Sequence, residues 1–209
     1  MVRIAKENSQ RLVRLIDDIL SIAKIESEKM PFHLQPVAID ELIARAVEAN
    51  QNFANQYGVR LQAEPGVPEA RVLADLDRLM QVLTNLLSNA VKHSPRGGVV
   101  LVGVQRQAGY WQVSVVDNGP GIPESFRDNV FSKFAQADGS DRRKGGGTGL
   151  GLSICKAIID RLGGRIGFES ESGVRTCFHF ELPVMQREAV GNLMAAQTPG
   201  PLGSATRAK

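Results

Sequence analysis

The sequence is poor in several features that would point to other kinds of protein. It has two cysteines in 209 residues, Cys155 in an apolar helical stretch and Cys177 in a strand-like one. With no second pair and no metal-ligand spacing, a disulfide framework and a thiolate metal site are excluded. Both thiols are expected in the core of a protein from a reducing compartment. No apolar run approaches the roughly 18 residues that cross a bilayer. Met1-Val2-Arg3-Ile4-Ala5-Lys6 lacks the apolar centre of a signal peptide, so a cytoplasmic chain without a membrane span is expected. Charge of one sign is not massed either. The 25 Lys and Arg against 22 Asp and Glu leave +3, and the basic residues are scattered. A nucleic-acid or membrane footprint is therefore not indicated, whereas a small anionic ligand is compatible. Hydrophobic residues at 43% and charged residues at 22% are ordinary globular values, which allow one core with appendages.

Between residues 4 and 29 neither glycine nor proline interrupts, and Leu12, Leu15, Ile16, Ile19, Ile22 and Ala23 recur at three- and four-residue steps. The spacing predicts one long amphipathic helix whose apolar stripe has to meet another helix, so this arm is expected to dimerise or dock. Pro31 and Pro36 stop it and open an extended stretch over 32–39, with Asp40 as the cap of a second helix that runs to Tyr57 and ends on Gly58. Strands are expected at 59–63 and 71–74, then a helix over 76–92 capped by Asp75. Strands at 99–106 and 111–116 form a hairpin turning at Ala108-Gly109. A mobile polar loop over 138–147, a helix over 150–162 and a closing pair of strands at 165–170 and 176–182 follow. Residues 197–209 hold too few large apolar side chains to offset their ordering entropy. An arm followed by intermixed strands and helices, with an antiparallel hairpin, argues an α+β fold with helices on one face of a sheet.

Three stretches carry chemistry. On the helix over 76–92, at 100° per residue, Leu79, Val82, Leu83, Leu86, Leu87 and Ala90 share one side, while Gln81, Asn85, Asn89 and Lys92 share another. Short amides lower helix propensity, so something has to reward them. An amide oxygen is a neutral hard ligand for Mg²⁺, and an ammonium one turn away can meet a phosphate. The alternative is a solvated face that happens to hold two asparagines. Second, the apolar run from Val113 to Val116 leads into Asp117-Asn118-Gly119-Pro120-Gly121-Ile122-Pro123. A carboxylate at a strand end can accept a hydrogen bond from an exocyclic amine such as that of adenine, and glycines let backbone approach a flat ring. The alternative is a tight turn made of ordinary turn residues. Third, Gly145-Gly146-Gly147-Thr148-Gly149-Leu150-Gly151-Leu152 leads directly into a helix. Free N–H groups there can cradle phosphate, although the spacing matches neither common nucleotide fingerprint. A flexible linker is the alternative.

Taken in order, these stretches resemble the motifs of sensor histidine kinases. Asn85-Leu86-Leu87-Ser88-Asn89-Ala90-Val91-Lys92-His93-Ser94-Pro95 looks like their asparagine box, and residues 117–123 like the first glycine box. Val130-Phe131-Ser132-Lys133-Phe134 looks like the phenylalanine box, and Gly147-Thr148-Gly149-Leu150-Gly151-Leu152 like the second glycine box. The resemblance implies a Bergerat-type ATP site, a two-layer sandwich of a mixed β-sheet and three α-helices shared with type II topoisomerases, mismatch-repair ATPases and a heat-shock chaperone. It implies an ATP-binding catalytic domain over 37–183, a tail over 184–209, and an arm over 1–30 that looks like the second helix of the family's dimerisation hairpin. Carried over, Asn89 would bind Mg²⁺, Asn85 and Lys92 would support the metal and the phosphates, and His93 would edge the purine. Asp117 would read adenine, Gly119 and Gly121 would shape its wall, and Lys133 would reach the outer phosphates. Gly147, Gly149 and Gly151 would form the lid hinge and phosphate cradle, with Thr148, Leu150 and Thr176 also among the ATP contacts. Asn89, Lys92 and Lys133 would act in catalysis.

Related ATPases place a glutamate one helical turn before the metal asparagine, as the base that activates water. Here that position is Asn85, whose neutral amide cannot take the proton, so the site reads as one that holds ATP for transfer rather than hydrolysis. Two departures remain. The family's nucleophile is a histidine followed by an acidic residue on the first hairpin helix, and His33, His93 and His179 do not fit that setting. The acceptor histidine is therefore expected in trans, autophosphorylation by the chain alone is not expected, and a parent kinase would be the part anchored in a membrane. In Gly173-Val174-Arg175-Thr176, Arg175 stands where the family usually has glycine. Partners implied are a histidine-bearing hairpin and a response regulator. Two other readings stand beside this one: a non-catalytic module that pairs with or sequesters kinases or a regulator, and an anti-sigma-type serine kinase of the same superfamily, against which the hairpin-like arm argues.

Overall fold

The computed structural model describes residues 2–27, 29–136 and 148–185. The expected loop over 138–147, with Gly147, lies outside the described residues, as does nearly all of the tail expected over 184–209. The arm is helix α1 (Val2–Glu26), which ends about one turn earlier than its spacing predicts. Two strands, β1 (Gln35–Ala38) and β3 (Arg71–Ala74), pair antiparallel, with Gln35 opposite Ala74. Between them run α2 (Ile39–Tyr57) and β2 (Arg60–Ala63). Then come α3 (Leu76–His93), β4 (Val99–Gln107), β5 (Tyr110–Asp117), a 3₁₀ turn over Glu124–Asn129, α4 (Gly151–Arg161), β6 (Arg165–Glu171) and β7 (Arg175–Pro183).

The main sheet has the order β2-β4-β5-β7-β6. Its β2–β4 pair is parallel and the others antiparallel, which makes it mixed. Helices α2, α3 and α4 cover one face. The fold is thus the two-layer α+β sandwich expected. Strand alternation decides which side chains meet the helices. Val100 and Val102 of β4, Trp111, Val113 and Val115 of β5, and Phe178, Phe180 and Leu182 of β7 are buried on that face. The opposite face is polar, where the Gln112 amide donates to Glu181 at 3.1 Å and accepts from Gln105 at 2.7 Å across the strands. Ala108 and Gly109, with φ of 41° and 89°, form the two-residue turn of the β4–β5 hairpin.

One expected cap is corrected. Helix α2 starts straight out of β1 at Ile39, with Ala38 at the N-cap and no side-chain cap. The N–H of Ile39 is taken by Ala70 O at 2.9 Å, so strand pairing has already supplied a partner. Asp40 lies inside the first turn and accepts the Val67 N–H at 3.0 Å, tying down the loop before β3. Gly58 closes α2 in the left-handed conformation expected, with φ of 69°. Arm helix α1 packs on α4 and buries Ile22 and Ile25. Leu12, Val13, Ile16, Ile19 and Leu20 remain 42–57% exposed as a continuous stripe.

Candidate active site

Helix α3 carries the asparagine stripe, and its start is pinned by Asp75. The Asp75 carboxylate accepts the Arg78 N–H at 3.1 Å as an N-cap and the His33 N–H at 2.8 Å from the segment before β1. Burial pushes this carboxyl up, but the two N–H groups and the Arg78 charge outweigh it and hold it below the usual range. Leu79, Val82, Leu83, Leu86, Leu87 and Ala90 are all fully buried at 0–1% exposure, so the apolar face is core, as the wheel requires. That fixes the rotation of the helix and turns Asn85 and Asn89, both half-buried, towards α4 and the loops beyond β5. Lys92 and His93 follow on the exposed last turn. From Asn85 to His93 the stripe spans roughly 12 Å at 1.5 Å per residue.

At the His93 end stands Asp117. Alternation along Trp111, Val113 and Val115 places the next odd residue on the helix-covered face, so a carboxylate closes a run of buried apolar side chains at 3% exposure. Its Oδ1 accepts the Gly119 N–H at 2.8 Å. Burial pushes this carboxyl above its usual range, against the opposing effects of the Gly119 N–H and the nearby His93. Thr176, also buried, is its register partner on β7. A Cβ at Gly119 would lie 2.7 Å from Asp117 Oδ1 and 2.8 Å from His93 O, so only glycine lets this backbone pass. Gly121 has φ of 82°, and a Cβ there would lie 2.9 Å from Ser172 Cα.

The opposite end is formed where α4 begins. The Asn85 amide donates to Gly151 O at 3.3 Å, so the asparagine stripe and the second glycine box are in contact. The Thr148 hydroxyl accepts the Leu150 N–H at 3.3 Å, and Leu150 is fully buried. In the phenylalanine segment, Phe131 packs with Phe168 and Phe178, with centroids 6.1 and 6.3 Å apart. Lys133 is exposed on the same turn, and the backbone of Phe134 lies against Gly149, where a Cβ would come within 2.8 Å. Apart from Lys133, whose neighbour Phe134 lies against Gly149, the described candidates therefore gather at two ends of one helical face: Asp117, Gly119, Gly121, Thr176 and His93 at one, Asn85, Thr148, Gly149, Leu150 and Gly151 at the other, with Asn89 and Lys92 on the helix between.

Three groups of contacts had no sequence signal. Ser170 Oγ accepts the Ile122 N–H at 2.8 Å and lies 3.3 Å from Thr176 Oγ1, while the Arg127 guanidinium donates to Ser170 O at 2.9 Å. These bonds brace the loop after Gly121 against the β6–β7 end. The Gly173 N–H donates to Pro120 O at 3.0 Å, and Gly173 itself, with φ of 74°, makes the turn. Arg175 is then the first strand residue of β7, exposed and paired with Glu171, so its side chain is accommodated at the position where the resemblance leads one to expect glycine. Thirdly, Asp18 of the arm accepts the Thr148 hydroxyl at 2.8 Å.

This arrangement can hold a flat ring with an exocyclic amine at one end and an anionic group at the other. Comparison with known proteins identifies the family and the fold. Residues 74–186 match the model of the family described as histidine kinase-, DNA gyrase B-, and HSP90-like ATPase. The chain is 36% identical over 205 residues to the circadian input-output histidine kinase CikA of Synechococcus elongatus, covering 93% of this chain and 27% of that protein. Full-length ShkA, solved in complex with AMPPNP, superposes with a TM-score of 0.76 at 32% identity, over 87% of this chain and 38% of that one. The histidine kinase ThkA, solved with the response regulator protein TrrA, gives 0.70 at 28% identity, over 88% and 50%. The chain spans 9–30% of the length of the foremost curated relatives it matches. It belongs to the histidine kinase-, DNA gyrase B-, and HSP90-like ATPase family and is an ATP-binding catalytic domain of the sensor histidine kinase type.

Proposed function

We propose that this chain holds ATP along the face of α3 and presents its γ-phosphate to a histidine of a kinase hairpin. Adenine lies over Gly119 and Gly121, its exocyclic amine donating to Asp117, with Thr176 and His93 at its edge. Lys92, Lys133 and the N–H groups from Thr148 to Gly151 serve the phosphates. The observation that carries the reading is the buried Asp117 carboxylate with the glycine backbone closed against it.

Mg²⁺ fits the donor set. Among the described residues no three His, Cys, Asp or Glu side chains gather as a metal site. Asn89 would offer one neutral oxygen to an ion held here, with phosphates and water completing the kind of oxygen set that suits Mg²⁺. When bound, it neutralises charge on the phosphate oxygens during transfer. Asn85 is committed as a donor to Gly151 O and is no base, so water is not activated at that position. In the transfer an imidazole nitrogen bonds to the γ-phosphorus as the bond to the β–γ bridging oxygen breaks, and ADP leaves with that electron pair. The histidines of this sequence are poor acceptors. His33 lies in the segment held to Asp75, His179 lies within β7 against Gly167, and His93 stands at the adenine end. The acceptor is a histidine outside these three, and a response regulator is the onward partner, as the pairing of ThkA with TrrA supports. The exposed stripe on α1 is the surface for a second arm helix in a dimer.

The test mixes the chain, γ-labelled ATP and a kinase hairpin bearing the histidine. Acid-labile label on the hairpin is expected. Capture of the hairpin without label, while AMPPNP still binds, would make the chain a non-catalytic interaction module instead.

A further inference from the structure

Asp18 and Thr148 are 130 residues apart in sequence, yet the Thr148 hydroxyl donates to Asp18 Oδ2 at 2.8 Å. The contact follows from how the arm is seated. Residues 18, 22 and 25 share one face of α1 at i, i+4 and i+7. Ile22 and Ile25 are buried where α1 packs on α4, so the turn bearing Asp18 is held beside the start of α4. Both Asp18 and Thr148 are half-buried.

The chemistry of that hydroxyl is limited. It has one proton, and while that proton goes to a carboxylate it cannot go to a phosphate oxygen. The same oxygen takes the Leu150 N–H at 3.3 Å, one of the groups at the entry to α4 that would otherwise face an anion. A carboxylate at this point also repels phosphate charge. We infer that Asp18 competes with the nucleotide phosphates for Thr148 and weakens their binding, so that the seating of the arm on α4 sets how tightly the chain holds ATP. The inference rests on the ATP reading proposed above and adds its regulation. An arm that shifts by a fraction of a turn withdraws Asp18 and frees the hydroxyl and the Leu150 N–H together.

Calorimetric titration of the full chain with AMPPNP and with adenosine tests this in wild type, Asp18→Ala and Asp18→Asn. Asp18→Ala is expected to bind AMPPNP about tenfold tighter, the scale of one hydrogen bond to a charged group. Asp18→Asn, which keeps the shape and an accepting oxygen but loses the charge, is expected to show a smaller gain. Adenosine, which has no phosphate, is expected to bind all three alike, a readout that a general change in stability would not leave constant. In a Thr148→Val background the gain from Asp18→Ala is expected to vanish. Unchanged or weaker AMPPNP binding in Asp18→Ala, with adenosine still bound, overturns the competition and leaves the ATP reading intact. Failure of the wild type to bind either ligand overturns both.

Discussion

In Asp117→Asn the side chain keeps its shape and an oxygen able to accept the Gly119 N–H, now at 2.8 Å, but it loses its charge and gains two donors. Recognition and stability are then expected to move in opposite directions. An exocyclic amine that donates to the carboxylate has a charged acceptor, a bond worth about 1.5–3 kcal/mol. Turning the amide so that its N–H₂ faces that amine replaces the bond by a donor–donor contact, so affinity for AMPPNP is expected to fall roughly 10- to 100-fold. The empty fold gains instead, because the charge removed was buried at 3% exposure. The pH dependence has a definite sign. Burial raises the Asp117 carboxyl above 3.8, so the folded chain binds this proton more tightly than the unfolded one. Its favourable contribution is full below pH 3.8 and is lost as pH rises through the raised value. The stability advantage of Asp117→Asn over wild type should therefore widen as pH rises from about 4 and level off above the folded pKa. Calorimetry with AMPPNP and urea denaturation at several pH values read the two effects. A variant that binds AMPPNP within twofold of wild type, or that is less stable at pH 7, would refute the reasoning.

Gly121→Ala puts a Cβ on a residue with φ of 82° and 2.9 Å from Ser172 Cα, a backbone atom that cannot swing aside. A left-handed non-glycine residue alone costs about 1–2 kcal/mol, and the unfolding free energy from urea denaturation should drop by at least that much; an unchanged urea midpoint would show that the loop relaxes freely. The two thiols should also separate. Burial pushes Cys155 up to about 12, only partly offset by Asn85, whereas Cys177 is partly exposed, and raised first by burial and then by Glu169. At pH 8 a thiol reagent should leave native Cys155 unmodified and label Cys177 slowly, and denaturant should expose both; mass spectrometry showing Cys155 labelled first would contradict this burial.

Features fixed by local chemistry were legible in the sequence. The period of Leu79 to Ala90 named the buried face of α3, Asp75 and Gly58 named its cap and the end of α2, and Ala108-Gly109 named the hairpin turn. Each needs only neighbours within a turn or two. Asp40 failed as a cap because a tertiary partner, the Val67 N–H, competes for its carboxylate while Ala70 O takes the Ile39 N–H. The pairing of β1 with β3 was not legible either, since four residues that include Pro36 carry no alternation that names partners 33–39 residues away. The contacts of Ser170 and of Asp18 depend on strand register and on helix docking. Neither residue stands out in its own stretch, because a serine in a strand and an aspartate in an amphipathic helix are both ordinary.

In the proposed reading, the buried Asp117 carboxylate and the glycine backbone beside it make this face of α3 an adenine nucleotide site. Titration of the wild-type chain with AMPPNP and with GTP, each with Mg²⁺, tests it most directly. Saturable one-to-one binding of AMPPNP with much weaker binding of GTP is predicted, since guanine presents a carbonyl oxygen where, in the proposed pose, adenine presents the amine that would donate to Asp117. Absence of AMPPNP binding, or equal binding of the two nucleotides, would contradict the account.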